Sequence, residues 1–93
     1  MAFRVFISGP LRELAGNRGE VAIEGHSESL SEALSLLWQS HPAFRDRVLT
    51  ELDELRPHLN IFVDGENIRF TGGLATPVRN GAEIVILPAL SGG

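Results

Sequence analysis

Few side chains in this 93-residue chain have the type and spacing that catalysis requires. The segment Gly25-His26-Ser27-Glu28-Ser29 begins like a nucleophile elbow, but it lacks the second glycine and the apolar strand-to-helix context of that motif. The three histidines stand at no metal-ligand spacing. Each lies in a predicted loop or at a helix end, as is typical of a solvated imidazole: His26, His41 and His58.

Two further patterns are weak signals for a binding site. The acidic side chains Asp46, Glu51, Asp53 and Glu54 do not follow the register of a calcium-binding loop, and a polar segment of this kind is usually solvated. Gly72-Gly73 is a lone glycine pair, which indicates a turn more readily than a phosphate cradle. The side chains therefore predict neither a catalytic constellation nor a metal site.

The last residues of the sequence are the remaining candidate, Leu87-Pro88-Ala89-Leu90-Ser91-Gly92-Gly93. Pro88 has no N–H to donate, so the chain is expected to leave the sheet there, and residues 89–93 could reach about 17 Å. Two glycines without Cβ atoms could enter a narrow channel and place the Gly93 carboxylate beside another protein's reactive groups. A merely frayed end is the alternative, and the residues alone leave both open.

Composition narrows the chemistry further. The chain has no cysteine, and all eight basic residues are arginine. Disulfides, thiol nucleophiles and Schiff-base lysines are therefore excluded. A net charge of −4 argues against nucleic-acid binding. The longest apolar run, Ile84 to Leu90, is far shorter than the roughly 20 residues that cross a bilayer, and no signal peptide is readable, so a cytoplasmic protein is expected.

Alternation of apolar residues predicts the strands. Phe3, Val5 and Ile7 mark a first strand, and Glu20 to Glu24 a second. Leu59 to Val63 ends at Asp64-Gly65, a favoured hairpin turn, and Ile68 to Phe70 is the predicted return strand. The almost wholly apolar segment Glu83 to Leu87 is typical of a central strand.

One long helix is predicted between the second and third strands. Ser29-Leu30-Ser31-Glu32 matches a capping box, and Pro42 ends the helix near His41. Residues 43–57 carry a weaker pattern and are expected to be a partly helical excursion. An apolar stripe at helical spacing should cover one face of the sheet, which makes the chain an α+β domain: Leu30, Ala33, Leu34, Leu37 and Trp38.

Three segments resemble one known family. Leu11 to Gly16 is similar to the loop after the first strand of the molybdopterin synthase small subunit, and Ile86 to Gly93 matches the closing motif of the ubiquitin-like sulfur carriers of the MoaD/ThiS type. Asn60 to Phe70 and Gly72 to Thr76 are closest to the CysO-like, cysteine-synthesis branch. The long excursion argues against the thiamin branch.

The resemblance implies a fold and a chemistry. The fold would be a ubiquitin-like β-grasp, with a mixed four- to five-stranded sheet on one main helix, a domain over residues 1–88 and a flexible tail over 89–93. The chain would be a co-substrate and not an enzyme. A ubiquitin-activating-like enzyme would use ATP and magnesium to adenylate the carboxylate of Gly93, which follows Gly92, and a sulfur donor would convert it to a thiocarboxylate. The carrier itself would bind no cofactor.

The same resemblance implies partners and leaves the pathway open. A sulfur-accepting synthase would receive the sulfur, with a sulfurtransferase or a metalloprotease as further partners; cysteine, molybdopterin and other sulfur-containing metabolites are all consistent products. Strand alternation places Phe6, Phe62, Val85 and Leu87 on the sheet face opposite the helix, where they would form a docking patch. The tail residues expected to contact the partner are Pro88, Ala89, Leu90 and Ser91.

Two rival functions remain from the sequence. A protein modifier would join Gly93 to lysines of target proteins, although a chain without lysine cannot form lysine-linked chains of itself. A plain β-grasp interaction module would leave the tail without a role. Replacing Gly93 separates the passive module from the carrier.

Overall fold

A five-stranded mixed sheet with its strands in the order β2-β1-β5-β3-β4 forms the frame of the domain. The structure is a computed structural model and describes residues 2–88. The strands are β1 (Ala2–Ile7), β2 (Glu20–Glu24), β3 (Leu59–Val63), β4 (Glu66–Asn67) and β5 (Glu83–Pro88). The helices are α1 (Leu30–Ser40) and the short α2 (Arg45–Val48), with 3-10 turns at Gly9–Ala15, Pro42–Phe44, Ile68–Phe70 and Gly73–Ala75.

The last strand of the chain is the central strand of the sheet. β5 runs parallel to β1 on one side and antiparallel to β3 on the other. The outer strands β2 and β4 are antiparallel to their neighbours. Because a central strand has no free edge, β5 can be apolar along most of its length, as its sequence predicted. The β-grasp prediction is confirmed, with five strands.

The core lies between the sheet and α1. Every second residue is buried along β1, β2 and β3 and in β5 up to Ile86, and complete burial of such a side chain stabilises the fold by about 1.5–3 kcal/mol. From the helix come Leu30, Ala33, Leu34 and Leu37, each at most 1% exposed. The predicted helix-facing strand residues are all buried: Phe3, Val5, Ile7, Leu59, Ile61, Val63, Ile84 and Ile86.

Local hydrogen bonds fix where α1 begins and ends. The backbone N–H of Glu32 donates to the Ser29 hydroxyl at 3.3 Å, as the capping pattern predicted. The N–H of Leu30 donates to the carbonyl of Thr76 at 2.8 Å, which ties the helix start to the segment before β5. Pro42 follows the C-cap residue His41 and begins a 3-10 turn.

The predicted excursion after α1 is partly helical. Phe44 and Val48 are fully buried and anchor the 3-10 turn and α2 to the core. The rest of the segment is a loop closed by a bridge between Leu49 and Leu55. Within residues 2–88, no helix is long and apolar enough to span a membrane.

The predicted return strand was wrong. Residues Ile68–Phe70 form a 3-10 turn, and the return strand of the hairpin, β4, is only Glu66–Asn67. The Asn67 side chain accepts the N–H of Arg69 at 2.9 Å and turns the backbone away from the ladder. Ile68 is therefore 2% exposed, whereas Phe70 is 87% exposed.

The predicted end of β5 was one residue short. Pro88 is the last residue of the strand and stands opposite Leu59, whereas the sequence predicts that the chain leaves the sheet there. A proline is tolerated at the end of a strand because its missing N–H interrupts no further rung of the ladder.

Candidate functional site

The sheet face opposite α1 carries four apolar side chains, which we call the open-face patch: Phe6, Phe62, Val85 and Leu87. In the register of the sheet, Val85 stands opposite Phe6 on β1 and opposite Phe62 on β3. Leu87 stands two residues further along β5, opposite Asn60. All four are partly buried, and cross-strand neighbours of this kind lie side by side on the sheet. Part of their apolar surface stays exposed. The structure thus brings together the patch residues that the sequence predicted; their binding role stays a prediction.

Charged side chains border this patch on the side of β2. Nη1 of Arg4 lies 3.5 Å from Glu20, and its Nη2 lies 3.7 Å from Glu83. The guanidinium carbon stands 5.9 Å from the centre of the Phe6 ring. Such exposed ion pairs add at most about 1 kcal/mol to stability. Their main consequence is positional, because they hold a cation over the edge of the patch, as polar rims border apolar interface cores.

The carboxyl end of β5 is enclosed by its neighbours. Pro88 lies opposite Leu59 on one side, and on the other side a Cβ built on Gly9 would stand 3.5 Å from Cγ of Pro88. Gly9 has a φ of 67°, so glycine suits both the turn and the contact. The predicted tail residues Ala89, Leu90, Ser91, Gly92 and Gly93 lie outside the described residues, and their roles stay predictions.

The other candidate residues do not assemble into a site. Within residues 2–88, no group of three or more histidine, aspartate or glutamate side chains could hold a metal ion. Ser27 is 1% exposed, so its hydroxyl is out of reach of a substrate. Gly72 and Gly73 both have positive φ angles and form the turn that their sequence indicated.

Sequence reasoning missed two surface features beside the excursion. A cleft of about 400 Å³ lies between residues 53–57 and 68–74, and its apolar lining includes Leu55, Pro57, Ile68 and Leu74. A second hollow is lined by two arginines of the excursion and by the histidine that follows it. No periodic pattern marks either feature, because a segment that is mostly loop carries none.

Comparison with known proteins decides the family. The model of the ThiS family matches residues 5–93. The chain belongs to the ThiS family. This match covers almost the whole chain, including the described domain and the residues that follow it.

Three curated relatives of this ThiS-family chain show what the family contains. A putative sulfur carrier protein of Archaeoglobus fulgidus is 35% identical over 83% of this chain and 88% of its own length. The sulfur carrier protein CysO of Mycobacterium tuberculosis is 31% identical over 81% of this chain and 83% of its own. Small archaeal modifier protein 1 of Haloferax volcanii is 33% identical over 89% and 91%.

A solved structure extends the likeness to three dimensions. A chain of the BexX/CysO complex of Amycolatopsis orientalis superposes with a TM-score of 0.85 at 31% identity, over 98% of this chain and 99% of that one. This ThiS-family domain is therefore a member of a group of sulfur carriers and ubiquitin-like modifiers, and a protein of similar structure is known within a complex.

Proposed function

We propose that this chain is a sulfur carrier that is loaded at the carboxylate of Gly93. The observation that carries the proposal is the family match, which runs through residue 93 and is joined by relatives named as sulfur carriers at 31–35% identity. The open-face patch supports it, since it adjoins the end of β5, from which the last residues continue. A partner seated on the patch would also be beside those residues.

The loading would take two steps. A free carboxylate is anionic at neutral pH and a poor electrophile, so it needs a leaving group. In the first step, a carboxylate oxygen of Gly93 attacks the α-phosphorus of ATP, and pyrophosphate leaves. In the second, a hydrosulfide attacks the carbonyl carbon, the bond to AMP breaks, and a thiocarboxylate remains. The ATP and magnesium would belong to the activating enzyme.

The thiocarboxylate sulfur would then be passed to an acceptor enzyme. The chain has no cysteine of its own, so a thiocarboxylate supplies the nucleophilic sulfur that its side chains lack. The relative in the BexX/CysO complex supports the expectation that such a carrier binds another protein. A synthase would be the acceptor, and a sulfurtransferase or a metalloprotease would act before or after it.

The test is the intact mass of the protein purified gently from its own host, and again after incubation with ATP, hydrosulfide and the host's activating enzyme. We expect a mass increase equal to the difference between sulfur and oxygen, which hydrolysis removes and which alkylation of the sulfur raises further by the mass of the added alkyl group. Gly93→Ala or deletion of Gly93 should lower adenylation by about 100-fold or more, because misplacing the reacting group destroys catalytic geometry. Ser31→Ala, an exposed change on α1 at the opposite face of the sheet, should stay within a few-fold of wild type. Normal adenylation of the deletion variant would contradict the proposal.

Conjugation to proteins is the second candidate function, favoured by the relative named small archaeal modifier protein 1. There the activated carbonyl of Gly93 would be attacked by a lysine amine of a target protein. The chain itself has no lysine to accept such a bond. Mass spectrometry of host proteins decides between the two, since recovery of Gly93 joined to target lysines, without any thiocarboxylate, would identify a modifier.

A further inference from the structure

Two arginines of the excursion lie together with the histidine that follows it, and we call these three residues the basic group: Arg47, Arg56 and His58. Together with Asp46 they line a surface hollow of about 390 Å³. Arg47 and His58 are exposed, and Arg56 is partly buried. The hollow carries two guanidinium groups against one carboxylate, that of Asp46, whereas the chain as a whole has a net charge of −4.

Neither arginine of the basic group forms an ion pair with a carboxylate of residues 2–88. The carboxylate of Asp46 lies 3.1 Å from Arg45, which also binds Asp53. Among residues 2–88, no carboxylate lies within 4.0 Å of the guanidinium nitrogens of Arg47 or Arg56.

Arg56 is nevertheless held in place. Its Nε donates to the backbone carbonyl of Asp46 at 2.8 Å, which leaves its terminal NH₂ groups for another acceptor. A guanidinium fixed in this way loses little side-chain entropy when it binds a carboxylate.

The position of the basic group relates it to the end of β5. The carbonyl of Arg56 accepts the N–H of Leu59 at 3.0 Å, and Leu59 stands opposite Pro88. The basic group therefore adjoins the end of the sheet at which β5 finishes. The opposite end of the sheet carries Arg4, which pairs with Glu83, and Arg79, together with four carboxylates at or next to strand ends: Glu24, Asp64, Glu66 and Glu83.

We infer that the basic group binds carboxylates of the partner protein at the rim of the site that receives the last residues of this chain. The inference rests on the proposed function, and it adds the chemistry of the partner surface. Residues 89–93 could span up to about 17 Å if they were extended in a partner's channel, so a nucleotide bound at Gly93 need not reach the arginines near Pro88. We assign the acceptors beside Pro88 to carboxylates of the partner protein, which a guanidinium can bind through two parallel hydrogen bonds. Opposite charges at a rim act mainly on the rate of encounter and on orientation.

The experiment compares adenylation of three variants by the activating enzyme of the same host, measured as pyrophosphate release over a range of carrier concentrations and salt. The variants are Arg47→Gln, the double change Arg47→Gln with Arg56→Gln, and Arg79→Gln. Arg79 is exposed and lies beside the Asn80-Gly81 turn near the start of β1. Arg79→Gln is therefore a control that removes one positive charge at the other end of the sheet. The single Arg47 variant keeps the test valid if loss of the Arg56 hydrogen bond lowers stability.

We expect the double variant to lower kcat/KM about tenfold at low salt, with kcat unchanged, because steering by charge affects association. Arg47→Gln should give a smaller loss, and Arg79→Gln should stay within about twofold. The difference should shrink to about twofold near 0.5 M salt, where the charges are screened. Equal rates for the double variant and Arg79→Gln, with wild type active, would overturn this inference alone. No adenylation of wild type would overturn the proposed function and the inference together.

Discussion

At the scale of single residues, the backbone is most constrained at Gly25, between β2 and α1. Its φ of 146° is unfavourable for a residue with a side chain. A Cβ there would stand 2.8 Å from Cδ1 of Leu36 and 3.1 Å from Cδ2. Glycine at this position therefore lets the strand pass closely over the helix.

Replacing Gly25 by alanine should destabilise the domain by about 1–3 kcal/mol, because the backbone is strained and the Leu36 side chain must move. Gly16→Ala is the matched control, since Gly16 also has a positive φ but a Cβ there would meet no atom within 4 Å. It should cost only about 1 kcal/mol. Urea unfolding of both variants measures the difference, and equal losses would contradict a steric role for Leu36.

At the scale of elements, β3 places adjacent residues on opposite faces of the sheet. Ile61 is fully buried against the helix side, and its neighbour Phe62 is partly buried on the open face opposite Val85. Adjacent residues of one strand thus serve stability and surface chemistry separately.

Truncating these two neighbours should have opposite consequences. Ile61→Ala should destabilise the domain by about 2–5 kcal/mol, because it leaves a cavity in the core. Phe62→Ala should cost about 1 kcal/mol or less, the scale of a cross-strand pair, yet raise the KM for activation of the carrier at least several-fold. Thermal unfolding and adenylation kinetics measure the two effects. An unchanged KM in a folded Phe62→Ala protein would show that the activating enzyme does not use the patch.

The sequence predicts those elements whose pattern is periodic. Alternation located β1, β2, β3 and β5, and the Ser29 cap located the start of α1, because burial on one face imposes a period on the residue types. The prediction of a return strand was wrong because only two residues of β4 pair with β3. The turn that follows depends on one hydrogen bond to the Asn67 side chain, and a single hydrogen bond produces no periodic pattern in the sequence. The open-face patch was predictable from alternation. The basic group was not, since Arg47 and Arg56 meet only through the fold of the excursion.

At the scale of the whole molecule, the central strand β5 connects the core, the open-face patch and the last residues of the chain. Ile84 and Ile86 complete the core on one face of β5, while Val85 and Leu87 form half of the open-face patch on the other. The strand then ends at Pro88, held between Leu59 and Gly9. β5 therefore contributes to the core, to the open-face patch and to the backbone from which residues 89–93 continue.

Two truncated chains test whether the folded unit stops at the end of this strand. A chain ending at Pro88 should unfold within about 1 °C of the full chain, since the core between the sheet and α1 is built from residues that precede it. A chain ending at Ile86 loses the residues opposite Asn60 and Leu59, and with them about 1–3 kcal/mol of burial, which corresponds to roughly 4–8 °C for each kcal/mol in a domain of this size. Calorimetry of both chains gives the answer. A large drop for the chain ending at Pro88 would mean that the last five residues pack on the domain, and a carrier built that way would have to release them before any partner could load Gly93.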